Sequence, residues 1–271
     1  MIRTALAMLA LLGSLSPAAA QDRIPSHCIA LAQGTETVVP ATFGAPLAAD
    51  TVRLRFLDHA SFLIETAGGL TAVTDYTGHT GRRPLIPDVV TMNNAHHTHW
   101  TPYPDPSIPH VLHGWGDAEG PAGHSLDLGE MLVRNVPTDV RGGFDGASRP
   151  NGNSIFIFEV AGLCIGHLGH LHHIPDDAQF AAVGRLDVVM VPVDGGYTLD
   201  LPSMVQVVQR FRSSVVVPMH WFSGASLDRF LARMEGEFDV VRLDQPDIEL
   251  GLGKLPARPT ILVLDPAWLN D

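Results

Sequence analysis

The sequence predicts a mixed α/β chain in which two β-sheets pack face to face with helices outside. Three observations carry this. Hairpin-like strand pairs dominate the first half. Strand–helix–strand alternation is confined to the second half. Between them lies a long irregular stretch, residues 94–128, rich in His, Pro, Gly and Trp. Hairpins build antiparallel pairs and crossovers build parallel ones, so the two halves together predict two mixed sheets around a shared core. A loop of that length belongs in a compact domain mainly when it serves a site.

The elements follow in order. Residues 1–20 read as a secretory signal: Arg3 gives the positive start, "ALAMLALLGSL" the apolar run, and "SPAAA" the small residues before cleavage ahead of Gln21. The run is too short to span a bilayer comfortably, and no later segment approaches a span. Residues 21–50 are a Pro/Ala-rich lead, and residues 51–271 the domain proper. In the domain, "TVRLRFL" (51–57), "SFLIET" (61–66), "LTAVTD" (70–75) and "DVVTMN" (88–93) read as strands with short turns. After the irregular stretch come "MLVRNV" (131–136), a Gly/Asp loop, and a hairpin of "SIFIFEV" and "LCIGHL" across "AG". Residues 175–183 read as a short helix, "LDVVMVPV" as a buried strand, "LPSMVQVVQRFR" as a helix, "SVVVPMH" as a strand and "SLDRFLARM" as a helix; short strands close the chain.

Composition bounds the function. Apolar residues make up 45% and charged residues 17%, a globular balance. The formal net charge is −12, and loss of Arg3 with the signal takes it to −13. Such an acidic chain argues against a nucleic-acid partner. A small-molecule substrate and a periplasmic or secreted location are expected, with no stable membrane insertion. Two cysteines, Cys28 and Cys164, are present. An oxidising compartment permits a disulfide between them, and a buried free thiol at Cys164 is the alternative.

The chemistry-bearing residues are histidines, of which there are 14. They gather near strand ends: His59; His96, His97 and His99 in "NNAHHTHW"; His167, His170, His172 and His173; and His220. Loops after strands are where sites are built, and imidazole suits Zn, Fe, Ni and Cu. A transition-metal site is therefore the expectation.

"LDHASFLIET", "DVVTMNNAHHTHW", "GLCIGHLGHLHH", "LDVVMVPVDGGYT" and "VVVPMHWF" stand in the order and approximate spacing of the metallo-β-lactamase superfamily. The chain resembles that superfamily over about residues 51 to 223, most closely its lactonase-like hydrolase branch. The resemblance implies an αββα sandwich with a metal site at one edge of the two sheets. The first motif of the superfamily, His-x-His-x-Asp-His, is altered. Asn94 stands for its first His and Thr98 for its Asp, while His96 and His99 keep the other two places. Asp139, in "NVPTDVRGG", is the best match to a further His. His170 takes the place of an Asp that bridges two metals, and His220 matches the final His.

The resemblance thus implies His96, His99, Asp139, His170 and His220 as metal ligands, with zinc as the expected metal, one or two ions, and iron or manganese as alternatives. His99, His170 and His220 would form a three-His site with an open position, the arrangement of catalytic zinc. His96 and Asp139, with Asn94, would form a weaker second site, because an Asn oxygen is a poor zinc ligand. Thr98 is no base at neutral pH, so His97 and Asp139 are the proton-transfer candidates, with His172 and His173 beside them. Asp75 is placed to fix a ligand tautomer, or else is a turn residue; His59 resembles a Gly-His-Ala stretch near the site. Tyr197 and the aromatics of the long loop are pocket candidates. The expected activity is metal-dependent hydrolysis of an ester, lactone or related bond. The competing readings are a metal- or ligand-binding protein without hydrolysis and an iron-dependent redox enzyme on the same fold.

Overall fold

The computed structural model describes residues 26–28, 39–40, 44–81, 84–93, 96–142 and 148–267. The expected signal segment, most of the lead, and Asn94 lie outside these. The first half gives β1 (Val39–Pro40), β2 (Thr51–Asp58), β3 (Ser61–Thr66), β4 (Thr71–Val73), β5 (Val89–Met92) and β6 (His110–His113). The centre gives β7 (Ser125–Asp127), β8 (Met131–Val140), β9 (Arg149–Val160) and β10 (Leu163–His167). Then α1 (Asp177–Val183), β11 (Val188–Pro192), α2 (Leu201–Phe211), β12 (Val215–Met219) and α3 (Gly224–Met234) alternate, and β13 (Asp239–Leu243), β14 (Asp247–Gly251) and β15 (Thr260–Leu264) follow. Two mixed sheets result: β1-β14-β2-β3-β4-β5-β6 and β13-β15-β12-β11-β10-β9-β8-β7.

Apolar residues lie on both faces of the second sheet, which is why its strands read as unbroken hydrophobic runs. Phe156, Phe158, Val188 and Met190 face the first sheet, where Leu54, Phe56, Phe62 and Ile64 meet them in the inter-sheet core. Ile155, Ile157, Val189 and Val191 face outward and are covered by Phe180, Met204, Val207, Val208 and Phe230 of the three helices. Asp176 caps α1 in a full capping box with Gln179, and Asp200 caps α2 through Ser203 N–H. The sequence expectation of helices outside holds for this sheet. Over the first sheet the outer apolar face (Leu63, Val73, Val90, Met92) is covered instead by Tyr76, Ile108, Trp100 and Trp115. The prolines at 84, 87, 102, 104, 106 and 109 explain why these segments are irregular: each lacks the N–H that a helix interior needs.

Two expectations are refined. The stretch 94–128 contains the short strands β6 and β7. The Gly/Asp loop ends earlier than expected, because β9 already begins at Arg149. Its first residues pair with the end of β8 through Val140↔Arg149 and Thr138↔Asn153, so backbone pairing overrides the turn-like "RPNGN". Cys28 and Cys164 form a disulfide with a sequence separation of 136, tying the lead to β10.

Candidate metal centre

Parallel pairing places the site. β4 runs parallel to β5, and β10, β11 and β12 run parallel to one another. Their carboxyl ends therefore meet at one edge of the sandwich, where open α/β sheets usually carry ligands. Asp75 follows β4, His96 and His99 follow β5, His170 and His172 follow β10, Asp194 follows β11, and His220 follows β12. His59 sits in the β2–β3 turn. Its carbonyl accepts the His220 N–H at 2.7 Å, which fastens one sheet to the other inside the site.

The backbone here is held in costly conformations. Seven non-glycine residues have positive φ among the described residues, and three are site residues: His59 (46°), Asp75 (42°) and His220 (56°). Such strain, about 1–3 kcal/mol per residue, persists only where surroundings enforce it, and it concentrates at functional sites.

Five imidazoles converge. Ligand atoms of His59, His96, His99 and His220 lie within 4.8 Å of one another. His170 joins them: its Nε2 lies 2.9 Å from His96 Nε2, and its ring centroid is 4.7 Å from His99 and 4.9 Å from His220. His99 Nε2 and His220 Nε2 stand 3.1 Å apart. Two nitrogens bound tetrahedrally to one zinc at the usual bond length would stand about 3.3 Å apart. The spacing fits one shared ion.

The two nitrogens behind His99 and His220 are set for this. His99 Nδ1 lies 2.5 Å from Asp75 Oδ2, and Asn93 Nδ2 donates to Asp75 Oδ1 at 3.0 Å. His220 Nδ1 lies 3.0 Å from Asp194 Oδ2, though off the line that a good hydrogen bond needs. Asp194 also accepts the Gly196, Tyr197 and Thr198 N–H groups and the Thr198 hydroxyl. With Nδ1 turned to a carboxylate, each ring directs its Nε2 lone pair inward, the arrangement of metal-binding histidines. His59 Nε2 is buried with no hydrogen-bond partner among the described residues, a polar atom that a cation would satisfy.

His96 and His170 are backed differently. Thr98 Oγ1 lies 2.8 Å from His96 Nδ1. His172 Nδ1 accepts the Arg141 N–H at 2.6 Å, so a neutral His172 carries its proton on Nε2, 2.7 Å from His170 Nδ1. His170 then carries its own proton on Nε2. A cation at His170 Nε2 requires that proton to move to Nδ1 and His172 to give up one of its two contacts.

Burial first, and then repulsion among the imidazoles, pushes the pKa of His59 down to about 2 and that of His170 and His99 far below the usual histidine range. Burial, then the Arg141 charge, lowers His172 to about 4. His59, His99, His170 and His172 are therefore neutral at pH 7, which is the form that ligates metals. Burial raises Asp75 to about 6, against the His167 charge and the Asn93 hydrogen bond. Burial would raise Asp194 too, but the close His220 Nδ1 and hydrogen bonds from the Thr198 hydroxyl and the Gly196 N–H outweigh it and hold it well below the usual range.

The other candidates lie apart. His97 and His173 are exposed, with rings 6.2 Å from His96 and 6.5 Å from His172. Asp139 is exposed and spends Oδ1 on the Asn151 N–H, so it is not among the converging donors; the β8–β9 pairing turns it away. His167 is consumed by backbone: Nδ1 accepts the Gly169 N–H and Nε2 donates to Ala60 O. Tyr197 is 68% exposed beside the site. Sequence reasoning missed Asp194, although an acidic residue directly after a buried strand and before Gly-Gly was a readable signal. It also missed Asn93, which joins Asp75 to the Ser154 N–H.

The family model described as the beta-lactamase superfamily domain matches residues 53–220, more than half of the chain. The chain belongs to the beta-lactamase superfamily. Among its relatives, a UPF0173 metal-dependent hydrolase of Pyrococcus abyssi is 24% identical over 204 residues, covering 63% of this chain and 84% of the relative. A UPF0173 metal-dependent hydrolase of Alkaliphilus metalliredigens is 22% identical over 209 residues, with 63% and 85% covered. A solved metallo-beta-lactamase superfamily structure from Thermotoga maritima is similar at TM-score 0.54 and 25% identity, covering 79% of this chain and 98% of that one. CmlA, a diiron beta-hydroxylase from Streptomyces venezuelae, shares the fold at TM-score 0.50 and 12% identity, over 70% of this chain and 52% of that one. The beta-lactamase superfamily fold is thus the scaffold on which this chain has assembled its histidines.

Proposed function

We propose that this superfamily member is a metal-dependent hydrolase, exported to the periplasm or medium, that cleaves an ester, lactone or related bond of a small molecule with zinc. The observation that carries the reading is the facing pair His99 and His220, each with a carboxylate behind it and Nε2 toward the other. His59 and His96 complete the set of converging donors. A bound zinc ion supplies a water that ionises near neutral pH and polarises the attacked oxygen. The chain's own part is to hold four imidazoles in one place, to fix the His99 tautomer through Asp75, and to keep Asp194 ionised behind His220. The converging donors are imidazoles, and the carboxylates stand one layer out, which favours a single ion over a carboxylate-bridged pair. Export is supported by the Cys28–Cys164 disulfide, a bond of oxidising compartments, and by the signal-like residues 1–20.

The test is elemental analysis of untagged mature protein by inductively coupled plasma mass spectrometry, followed by assay on phenyl acetate and a γ-lactone. One equivalent of zinc and turnover that is lost in His99→Ala and His220→Ala are expected. Iron in place of zinc would move the reading to redox chemistry, and bound metal without turnover would leave a binding protein.

A further inference from the structure

Beside His96 and His170 opens a cavity of about 410 Å3, within the range of small-molecule sites. Arg141, Arg149, His172 and Tyr197 are among its walls. Cations are scarce in this chain, with 17 Lys and Arg against 29 Asp and Glu, so a guanidinium-lined cavity next to the metal centre stands out from the background. Arg141 is also positioned. Its Nη2 donates to the carbonyls of Gly196, Tyr197 and Thr198 at 2.8, 3.0 and 3.3 Å. No acceptor among the described residues takes the N–H groups of its Nη1 and Nε. A guanidinium held on one edge keeps its remaining donors pre-oriented, the geometry that recognises oxyanions.

A second observation comes from the Tyr197 wall of the same cavity. Phe222 and Tyr197 are 62% and 68% exposed, yet their rings meet edge to face at 5.3 Å. Phe222 also lies 5.2 Å from the His220 ring and 5.3 Å from the His59 ring. Two large exposed aromatics in contact, bordering a polar centre, form a ledge for an apolar group.

We propose that Arg141 and the Tyr197–Phe222 pair form a substrate subsite for an anionic molecule with an aromatic or apolar part. Its carboxylate or phosphoryl group sits at Arg141, its apolar part lies against the ledge, and its reacting bond lies over the histidines between them. This deepens the hydrolase reading, but binding itself does not require turnover.

The test is calorimetric titration of zinc-reconstituted mature protein with phenylacetate, its neutral match phenylacetamide, and phenylphosphonate. Phenylacetate should bind about tenfold tighter than phenylacetamide, the scale of one charge-assisted hydrogen bond. Arg141→Gln should remove that advantage and leave phenylacetamide within about twofold, while Phe222→Ala should weaken both probes alike. Tighter binding of phenylphosphonate than phenylacetate would support the subsite with a phosphoryl group as the oxyanion. Three results would overturn the proposal: equal affinity for phenylacetate and phenylacetamide, undiminished phenylacetate binding in Arg141→Gln, or loss of both probes in that variant, which would make Arg141 a brace for the 196–198 loop. Undiminished binding that vanishes in chelator-treated protein would assign the carboxylate to the metal. Failure to hydrolyse esters while the probes bind as expected would sink the hydrolase reading and leave this one standing.

Discussion

The two halves of the histidine cluster are built on different supports. His99 and His220 have carboxylates behind them, while His96 and His170 have a threonine hydroxyl and another imidazole. A carboxylate accepts only, so it draws the Nδ1 proton and leaves Nε2 open. An imidazole both donates and accepts, so His172 passes on whatever proton pattern the Arg141 backbone imposes. The first half is ready for a cation; in the second, His170 must rearrange to take one. Unequal support teaches that a count of converging nitrogens overstates the number of ready ligands.

Removing a ready ligand should have the largest effect. His220→Ala and His99→Ala should each weaken metal binding more than about 100-fold, read as metal content after dialysis; retained metal would reject the assignment. His170→Ala should lose less, and a loss equal to that of His220→Ala would erase the distinction between the halves. The supports come next. Asp75→Asn should cost about 10–100-fold in metal affinity, and His172→Asn under about tenfold, by competition with a chromogenic chelator.

Acid should dismantle both halves of the metal-free protein. His59 and His172 have folded pKa values of about 2 and about 4, below the ordinary histidine value of 6.5. The unfolded chain therefore binds more protons in that window, and stability falls as pH drops from 6.5 toward 4. Asp75 acts oppositely: raised from 3.8 to about 6, it binds a proton sooner when folded and offsets part of the loss between those values. A melting temperature that is flat from pH 7 to 4 would contradict the burial of neutral histidines.

Gly169 links the halves, with φ of 58° and Asn93 and Asn153 packed where a Cβ would stand, at 2.3 and 2.6 Å. Those two asparagines hold Asp75 and the His170 N–H. Gly169→Ala should cost about 1–3 kcal/mol, checked by urea unfolding, and should also weaken metal binding. The smallest effect is a gain: Thr98→Asp puts a carboxylate beside His96 and should raise metal content above one equivalent.

Much of this was legible in the sequence, and for a reason. β3 and the β9–β10 hairpin were readable because alternation and the "AG" turn fix them locally; Ala161 and Gly162 both take positive φ, as a two-residue hairpin turn requires. His96, His99, His170 and His220 were readable because each follows a strand end. Asp139 was not, because one residue of register in β8 decides which way a side chain points. Asp194, Arg141 and Phe222 were not, because their roles depend on neighbours from other strands, which spacing along one chain does not reveal.

The hydrogen bond from His220 N–H to His59 O joins the two sheets in the middle of the cluster. Asp75 and His99 arrive from one sheet, and His170, Asp194 and His220 from the other. An ion held there would be a rivet through two plates, and its binding free energy would add to what keeps them together, about 4 kcal/mol at a thousandfold excess over its dissociation constant. Starved of metal, such a protein would shorten its lifetime as well as lose its chemistry, so supply of the ion would govern how much enzyme exists.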